Sequence, residues 1–151
     1  MAVEIVHEDA GSETAQALLA AYFADRAETF VGTYRPKPAD PATLREPDGA
    51  FLVARSGDAA IGCGALRRLG PSRFEVKHLY VAPAGRGRGT GAALLAALEA
   101  EAGRLGATEV VLDTNASLAP ANALYASRGY AEIAPYNDNP NATTWFRKPL
   151  A

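Results

Sequence analysis

The sequence is poor in the features that mark several classes of protein. It holds one cysteine, Cys63, so no disulfide can form within the chain, and a reducing compartment is expected. No apolar run approaches the roughly 20 residues that span a bilayer. The acidic start MAVEIVHEDAGSE has no apolar core of a signal peptide. The formal net charge of −2 argues against a general nucleic-acid binder. We therefore expect a cytoplasmic protein without a membrane or nucleic-acid partner.

Metal-binding and nucleotide-binding motifs are also scarce. The two histidines, His7 and His78, fall on separate predicted strands and form no set of ligands, so the sequence predicts no metal site. The P-loop pattern G-x-x-x-x-G-K-[ST] is absent. Cys63 lies within IGCGAL with no histidine or aspartate beside it in sequence. A small buried strand residue is therefore favoured over a nucleophile that would form an acyl-enzyme.

What is present predicts one α/β (α+β) domain over residues 1–151. Hydrophobic periodicity and turn residues predict strands at 3–8, 51–55, 60–69, 73–81, 109–113, 130–135 and 143–148. Helices are predicted after the N-cap Ser12, at 90–105, and at 118–127 behind the N-cap Ser117. The Pro-rich stretch YRPKPADPATLREPDG predicts a loop with one short helix at 42–45. This order predicts a mixed sheet with helices on its faces, not an all-parallel fold.

The most informative stretch is LYVAPAGRGRGTGAALLAALE, residues 79–99. Three of the six residues from Arg86 to Gly91 are glycine and two are arginine, and a Leu/Ala-rich helical pattern follows at once. Glycine lets a ligand approach the backbone, and the free N–H groups of a helix N-terminus favour an anion. Residues 87–92 therefore predict a phosphate site, most simply for a pyrophosphate, in preference to a solvated turn.

A dinucleotide-binding fingerprint competes with this interpretation. Residues 87–92, GRGTGA, match G-x-G-x-x-A, and Asp113 ends the next strand about 20 residues further on. Against it, APAG separates the glycines from their strand, and no second βαβ half follows. That strand also carries Glu75, Lys77 and His78, whereas a strand buried on both faces would be apolar. A dinucleotide-binding oxidoreductase remains a third hypothesis for the function.

The spacing Arg86-x-x-Gly89-x-Gly91, preceded by LYVAP, gives a different match. It resembles the pyrophosphate loop of the GCN5-related N-acetyltransferases, the GNAT family, whose strand, loop and helix bind the diphosphate of acetyl-CoA. LDTNASLAPANALYASRGYAEI resembles that family's second signature, a strand, a helix bearing LY, and then GY or GF. PYNDNPNATTWFRKPL resembles the tail of a common bacterial subgroup. The order of elements is also that of the family, so the resemblance covers essentially the whole chain.

The resemblance implies a mostly antiparallel central sheet with helices on both faces. It implies direct transfer of the acetyl group of acetyl-CoA to a primary amine of a small-molecule or peptidyl acceptor, in a ternary complex. Residues 87–92 would hold the diphosphate, and residues 79–81 would pair with the pantetheine amides, which requires a splay from residues 112–115. Homodimers are common in the family. The implied cofactor-binding residues are Leu79, Tyr80, Val81, Arg86, Gly87, Arg88, Gly89, Thr90, Gly91, Ala92, Asn115 and Asn122.

Tyr125 matches the family tyrosine that lies near the cofactor sulfur. A phenol with a pKa of ~10 is protonated at neutral pH and can donate to a departing thiolate. A core aromatic residue is the alternative. Asn122 lies three residues earlier on the same helical face and could contact pantetheine or ribose. Asp113 and Asn115 could line the cleft, or Asp113 could pair locally.

Glu75 is the candidate general base. Strict alternation would place Glu75, Lys77, Leu79 and Val81 on one strand face that looks into the acceptor cleft, with His78 on the opposite side. A carboxylate partly withdrawn from water accepts a proton more readily. The alternative is a structural salt bridge between Glu75 and Lys77, with solvent taking the proton.

Two further segments lie near the acceptor in the family. One is the polar loop that follows residue 135, for which a solvated turn is the alternative. The other is the segment that forms the second wall of the cleft. Their candidate residues are Tyr136, Asn137, Asp138, Asn139, Tyr22, Phe23, Phe30 and Tyr34. A non-catalytic acyl-CoA-binding or sensor module is the alternative function. Tyr125 together with Glu75 favours the enzyme, because a pure binder needs neither.

Overall fold

The computed structural model describes residues 2–151, and its strands form one seven-stranded sheet. The strands are β1 (Val3–His7), β2 (Gly49–Ser56), β3 (Ala59–Arg68), β4 (Arg73–Val81), β5 (Glu109–Thr114), β6 (Ala131–Ile133) and β7 (Thr144–Pro149). The α-helices are α1 (Glu13–Thr29), α2 (Thr90–Arg104) and α3 (Ala119–Ser127), and short 3₁₀ turns lie at Pro41–Leu44 and Pro83–Gly85.

Most elements begin and end close to their predicted bounds. Ser12 caps α1 as predicted, because its hydroxyl accepts a hydrogen bond from the Ala15 N–H at 3.1 Å. The prediction for α3 was wrong by one residue at its start. Its cap is Leu118, which makes no side-chain capping bond, so Ser117 does not cap the helix. β6 keeps only three residues of the predicted strand at 130–135.

The sheet has the order β1-β2-β3-β4-β5-β7-β6. Within residues 2–151, β4 and β5 are the one parallel pair, and the other neighbours are antiparallel. The predicted mixed, mostly antiparallel sheet is therefore confirmed. A doubly wound dinucleotide-binding fold, whose successive strands run parallel, is excluded for this chain.

Apolar layers cover both faces of the sheet, as predicted. On one face, Leu94, Leu95 and Leu98 of α2 are at most 1% exposed and pack with Phe74 of β4. The i, i+1 and i+4 spacing of these leucines gives α2 its buried stripe. On the other face, α1 and the segment before β2 supply a second cluster that includes Leu18, Leu19 and Leu44. The two layers hold β4 in the middle of the sheet.

A β-bulge interrupts β4 where it pairs with β3. Ala65 pairs with Lys77 and Cys63 with Tyr80, so β4 has one residue more than β3 between these pairs. His78 lies in this interval, and its φ of 55° is in the left-handed region. The extra residue reverses the side-chain alternation, so Tyr80 lies on the α1 face together with Lys77. Leu79 lies on the α2 face instead.

The Pro-rich segment between α1 and β2 is held against the sheet at three points. The Arg35 N–H donates to Asn141 Oδ1 at 3.0 Å, and Asn141 Nδ2 donates to the Arg35 carbonyl at 2.5 Å. The Ala39 N–H donates to His78 Nε2 at 3.3 Å. Leu44 is 2% exposed in the core. The segment therefore forms a wall beside the bulge of β4.

Candidate active site

β4 and β5 part after three residue pairs, the last of which joins Glu75 to Val111. β4 continues to Val81 and β5 to Thr114, so the two strand ends border a slot. A cavity of about 650 Å³ occupies this slot and the space beneath α1. The predicted splay is confirmed. The strand and α3 residues that line the cavity are Arg67, Val76, Lys77, His78, Leu79, Tyr80, Val81, Asp113, Thr114, Pro120, Ala121 and Tyr125.

The N-terminus of α2 packs between β4 and α3, next to the slot, but residues 87–92 do not themselves line the cavity. A Cβ atom on Gly91 would lie 3.6 Å from Val81 Cγ2 and 3.5 Å from Leu124 Cδ2. Gly87 and Gly89 have φ values of 75° and 72°, which glycine adopts without strain. The first helical bond runs from the Ala93 N–H to the Gly89 carbonyl at 3.0 Å. Five earlier N–H groups have no acceptor within residues 2–151, those of Gly87, Gly89, Thr90, Gly91 and Ala92. Such a row favours an anion.

The two arginines of the glycine stretch point to different places. Arg86 lines the cavity, donates from Nε to the Val81 carbonyl at 3.2 Å, and lies 3.9 Å from the Asp25 carboxylate of α1. Arg88 donates to Ser56 Oγ at 3.0 Å, at the far end of β2. Arg86 is thus placed to meet a ligand in the cavity, whereas Arg88 is directed toward the β2–β3 turn.

Tyr125 reaches the cavity from α3 and is 7% exposed. Its ring packs against Tyr130 and Phe146 at centroid distances of 5.8 and 5.9 Å. Burial raises the pKa of Tyr125 to about 12, the Arg26 charge opposes this rise, and the Asp113 charge adds to it. No protein group within residues 2–151 hydrogen-bonds its hydroxyl. The phenol is therefore protonated at neutral pH and is available to a ligand.

Glu75 is 1% exposed and does not line the cavity. Arg67 donates to its Oε1 at 2.8 Å, and the Lys77 ammonium lies 3.6 Å from the same oxygen. The Tyr136 hydroxyl donates to its Oε2 at 2.5 Å. Both carboxylate oxygens are thus engaged by protein groups. The ion pair with Lys77, which the sequence left as an alternative, is present, and Arg67 joins it.

The expected arrangement of side chains along β4 was wrong beyond Lys77. Glu75 and Lys77 share a face as predicted, but Leu79 and Val81 do not lie on it. The bulge also turns His78 into the cavity instead of away from Glu75. There its ring meets the rings of Tyr22 and Phe23 at 5.2 and 5.3 Å.

His78 is a neutral residue of the cavity wall. Burial, together with the charges of Lys77, Arg67 and Arg26, lowers its pKa to about 3. Its Nε2 already accepts the hydrogen bond from Ala39. An imidazole with so low a proton affinity does not serve as a general base near neutral pH. It instead joins β4 to the Pro-rich wall.

The candidate asparagines hold the backbone next to the slot. Asn122 Nδ2 donates to the carbonyls of Asn115 and Leu118 at 2.9 and 2.8 Å. Asn115 Nδ2 donates to the Asn141 carbonyl at 3.1 Å, and its Oδ1 accepts from the Ser117 N–H at 2.9 Å. Neither asparagine lines the cavity. Their contact with a cofactor stays a prediction, and the bonds that the structure shows are structural.

Asp113 lines the cavity and also pairs locally, so both alternatives for this residue hold. Its Oδ2 accepts from Asn137 Nδ2 at 2.8 Å and its Oδ1 from Asn139 Nδ2 at 3.2 Å. Trp145 Nε1 donates to Asn137 Oδ1 at 2.9 Å. The polar loop after residue 135 is therefore tied down around Asp113, and Asn137, Asp138 and Asn139 border the cavity.

The second wall of the cavity comes from α1 and the Pro-rich segment. Tyr22, Phe23 and Tyr34 line it as predicted, whereas Phe30 does not and packs on Tyr34 at 5.4 Å. The sequence analysis missed Arg26, which also lines the cavity and lies over the Tyr34 ring at 5.8 Å. Its spacing of four residues from Tyr22 places both on one helical face, so this residue could have been found.

Arg67 was missed for a different reason. It lines the cavity only because it pairs with Glu75 across the β3–β4 hairpin. That register follows from a turn and a bulge that the sequence does not reveal. No helix in the described part of the chain has both the length and the hydropathy for crossing a membrane.

One cluster of potential metal ligands lies outside the cavity. His7, Glu46 and Glu101 bring ligand atoms within 4.8 Å of one another. The Arg104 guanidinium bonds both Glu46 and Glu101, so a cation already occupies the space between the carboxylates. His7 lies 3.4 Å from Glu101 and is largely exposed. The cluster is a surface network of ion pairs.

Comparison with known proteins identifies relatives over most of the chain. The sequence model of the acetyltransferase (GNAT) family matches residues 13–130. The IAA acetyltransferase of Azospirillum brasilense is 36% identical over 115 residues, which are 74% of this chain and 74% of that protein. The solved structure of a Klebsiella pneumoniae protein assigned as an acyl-CoA N-acyltransferase is 32% identical, with a TM-score of 0.79 over 99% of this chain and 98% of that one. A GNAT family acetyltransferase of Elizabethkingia anophelis, solved with acetyl-CoA bound, shares the fold at 18% identity, with a TM-score of 0.69 over 98% of both chains.

The environment of Cys63 predicts an unreactive thiol. The side chain is 0% exposed, its Sγ donates to the His78 carbonyl at 3.5 Å, and burial raises the pKa of the thiol to about 12. Because the thiolate is the reactive form, we expect no alkylation by iodoacetamide at pH 8 in the folded protein and one adduct in urea, measured by intact mass. Stoichiometric labelling of the folded protein within minutes would revive the nucleophile hypothesis.

Proposed function

The chain belongs to the acetyltransferase (GNAT) family, and on that premise we propose that it transfers the acetyl group of acetyl-CoA to an amine. The proposed reaction is direct transfer within a ternary complex. One observation carries the proposal: the row of free N–H groups that begins α2 packs between Val81 of β4 and Leu124 of α3, next to the slot between β4 and β5. The acetyl-CoA bound by the Elizabethkingia neighbour supports the choice of acyl donor. We also propose that residues 1–151 act as one domain.

The glycine stretch fits a diphosphate. The free N–H groups of residues 87 and 89–92 can donate to phosphate oxygens, and the positive end of the α2 dipole adds to the attraction. Arg86 borders the same end of the cavity and adds a cation. The lip of β4 from Leu79 to Val81 has no strand partner on the β5 side, so its backbone can pair with the pantetheine amides. Arg88, Asn115 and Asn122 remain proposed contacts of the cofactor.

Tyr125 is the proposed general acid. When the tetrahedral intermediate collapses, the carbon–sulfur bond breaks and the sulfur leaves with the electron pair. The Tyr125 phenol donates its proton to that thiolate and regains one from the proton released by the attacking amine, through solvent. Burial keeps the phenol protonated, and its hydroxyl has no competing partner among residues 2–151. The free backbone N–H groups of the β4 lip are the proposed donors to the developing oxyanion.

The geometry around Glu75 does not favour the role of general base. The sequence made it the candidate base, but both of its oxygens accept from Arg67 or Tyr136, and it is walled off from the cavity. We therefore assign Glu75 to positioning Arg67, Lys77 and Tyr136. A water molecule in the cavity takes the ammonium proton.

The first test is release of free CoA thiol from acetyl-CoA across a panel of amines, amino acids and peptides. We expect amine-dependent release, and a fall in kcat of about 100-fold in Tyr125→Phe, the scale typical of a lost general acid. Tyr130→Phe is the matched control, because it removes a phenol that bonds Glu99 at 2.8 Å outside the cavity. CoA binding without any release would favour the non-catalytic module. Absence of CoA binding would remove the basis of the proposal.

The same assay gives the pH dependence of the acid step. Since burial raises the pKa of Tyr125 to about 12, the phenol keeps its proton at any pH well below 12. The rate should therefore show no alkaline decline due to Tyr125 until the pH approaches that value.

A pair of glycines in α2 tests the phosphate site. In Gly91→Ala the new methyl group meets protein atoms only at ordinary contact distances, 3.5 and 3.6 Å, so the fold should tolerate it. It would narrow the space in which the diphosphate approaches the backbone. We expect a rise of at least about tenfold in the Kd for CoA. This corresponds to the free energy of about one to two hydrogen bonds.

Gly103→Ala is the control in the same helix, where a Cβ meets nothing within 4 Å. It should leave the Kd unchanged and stabilise the protein by about 0.5–1 kcal/mol, because alanine favours a helix over glycine. Isothermal titration with CoA and urea denaturation measure both quantities. Equal Kd values for Gly91→Ala and the wild type would place the diphosphate elsewhere.

Glu75→Gln separates positioning from base catalysis. The amide keeps the shape of the side chain and an acceptor for Arg67, so we expect kcat to stay within about tenfold of wild type and the acidic limb of the pH–rate profile to persist. Loss of a true base costs about 10²–10⁴-fold and removes that limb. Glu132→Gln, an exposed change on β6, is the control. Circular dichroism of each variant excludes unfolding as the cause of a lost rate.

A further inference from the structure

Two points of the cavity wall carry charge that the protein does not balance. The first is the group formed by Glu75, Arg67 and Lys77. One carboxylate, 1% exposed, serves two cations that are 34% and 16% exposed, which leaves an excess of one positive charge. Arg67 Nε is buried and has no hydrogen-bond partner. Both cations line the cavity and remain partly exposed, so an external acceptor can reach this group from the cavity.

The second point is Asp113, which carries the opposite sign. Its partners, Asn137 and Asn139, are neutral amides, and no cation lies within ion-pair distance of it among residues 2–151. Asp113 lines the same cavity as Tyr125, the proposed general acid. A carboxylate placed there favours a cationic group in the cavity.

The splay of the sheet explains why these charges do not neutralise each other. Glu75 and Val111 form the last pair of β4 and β5. Two residues further along each strand, on the same face, lie Lys77 and Asp113. In a continued sheet they would be neighbours on that face, but the strands have parted and the two side chains form no ion pair. A cation and an anion thus stand on opposite lips of the slot, and both border the cavity.

We propose that the acceptor is a zwitterion, an amine that also bears a carboxylate, as in a free amino acid. Its carboxylate binds Lys77 and Arg67, and its ammonium group meets Asp113 before losing a proton. This inference rests on the proposed function and narrows its acceptor. Asp113 stabilises the ammonium form when the acceptor binds, whereas the excess positive charge of Lys77 and Arg67 opposes that form.

The rest of the cavity agrees with this class of acceptor. His78 is neutral and supplies no charge. Asp25 is near Arg86, Arg26 lies over the Tyr34 ring, and Lys37 and Asp138 are exposed. With Glu75 included, five cationic side chains face four carboxylates in and behind the wall. A simple alkylamine or a polyamine would leave the excess positive charge of Lys77 and Arg67 unbalanced. A zwitterion balances this charge with its carboxylate and the charge of Asp113 with its ammonium group.

Matched pairs of acceptors test the inference. Thiol release is measured with glycine, alanine, β-alanine and 4-aminobutyrate, each against its carboxamide, and with alkylamines of the same length. The carboxamides of glycine and alanine lose their ammonium proton more readily in solution than the free acids, so a preference for these acids must come from the protein. We expect kcat/KM for at least one acid to exceed that of its amide by about 10- to 100-fold, the scale of a charge-assisted hydrogen bond in a partly buried site.

The variant Lys77→Met tests whether Lys77 causes the preference for the acid over its carboxamide. It keeps the Arg67–Glu75 pair and much of the side-chain volume, and we expect the ratio of acid to amide to fall by at least about tenfold. Lys148→Met, which removes a lysine paired with Glu99 outside the cavity, should keep the wild-type ratio. The ratio is measured within one protein sample, so partial unfolding does not change it. A second variant, Asp113→Asn, should lower kcat/KM for the preferred acid without abolishing CoA binding.

The failures of the two proposals are distinguishable. Equal or better use of carboxamides or alkylamines would overturn the zwitterion while leaving the acetyltransferase intact. A ratio of acid to amide in Lys77→Met equal to that of the wild type would also overturn the zwitterion. CoA binding without acetylation of any amino acid would overturn it as well. Absence of CoA binding would overturn the proposed function itself.

Discussion

Three residue pairs join β4 to β5, and the early end of this pairing determines where every other part of the site can lie. The two parallel strands are paired as far as Glu75 and separate beyond it. The open ends receive α3 and its Tyr125 from one side and the bulged part of β4 from the other. An unpaired strand edge inside a sheet would normally cost hydrogen bonds. A ligand that pairs with this edge would remove that cost, so the defect in the sheet is also where we propose that the cofactor binds.

The β-bulge in β4 is the second feature on which the site depends, because it determines which side chains enter the cavity. Without the extra residue, His78 would face α2, and Tyr80 would leave the α1 face. The His78 carbonyl accepts from the Cys63 thiol, and the His78 ring accepts from the Ala39 backbone. Cys63, for which the sequence favoured a small buried strand residue over a nucleophile, thus supports a backbone position in the left-handed region. The contact between the His78 ring and Ala39 links β4 to the Pro-rich segment, which closes that side of the cavity.

The sequence predicted the elements well because periodicity and turn residues are local signals. The strand bounds of β4, the cap of α1 by Ser12 and the glycine stretch before α2 all follow from short-range chemistry. The side-chain directions beyond Lys77 could not be predicted from the sequence. A bulge adds one residue to the strand without leaving a mark in the alternating pattern of the amino-acid sequence. Arg67 could not be placed either, because its position depends on the register of a hairpin. The resemblance to a family located Tyr125, but it did not distinguish Glu75 as a base from Glu75 as the centre of an ion-pair group.

The group around Glu75 shows how a cavity can hold excess charge without losing stability. A buried carboxylate is costly unless it is paired and hydrogen-bonded, and Arg67, Lys77 and Tyr136 provide those contacts. The two cations remain partly exposed, so water solvates the charge that Glu75 does not balance. A carboxylate that enters the cavity replaces this water and meets the cations in a less polar medium, where charge-assisted bonds are stronger. If the acceptor is the zwitterion that we propose, selectivity for its carboxylate would therefore grow as the acyl donor and the acceptor displace water from the cavity.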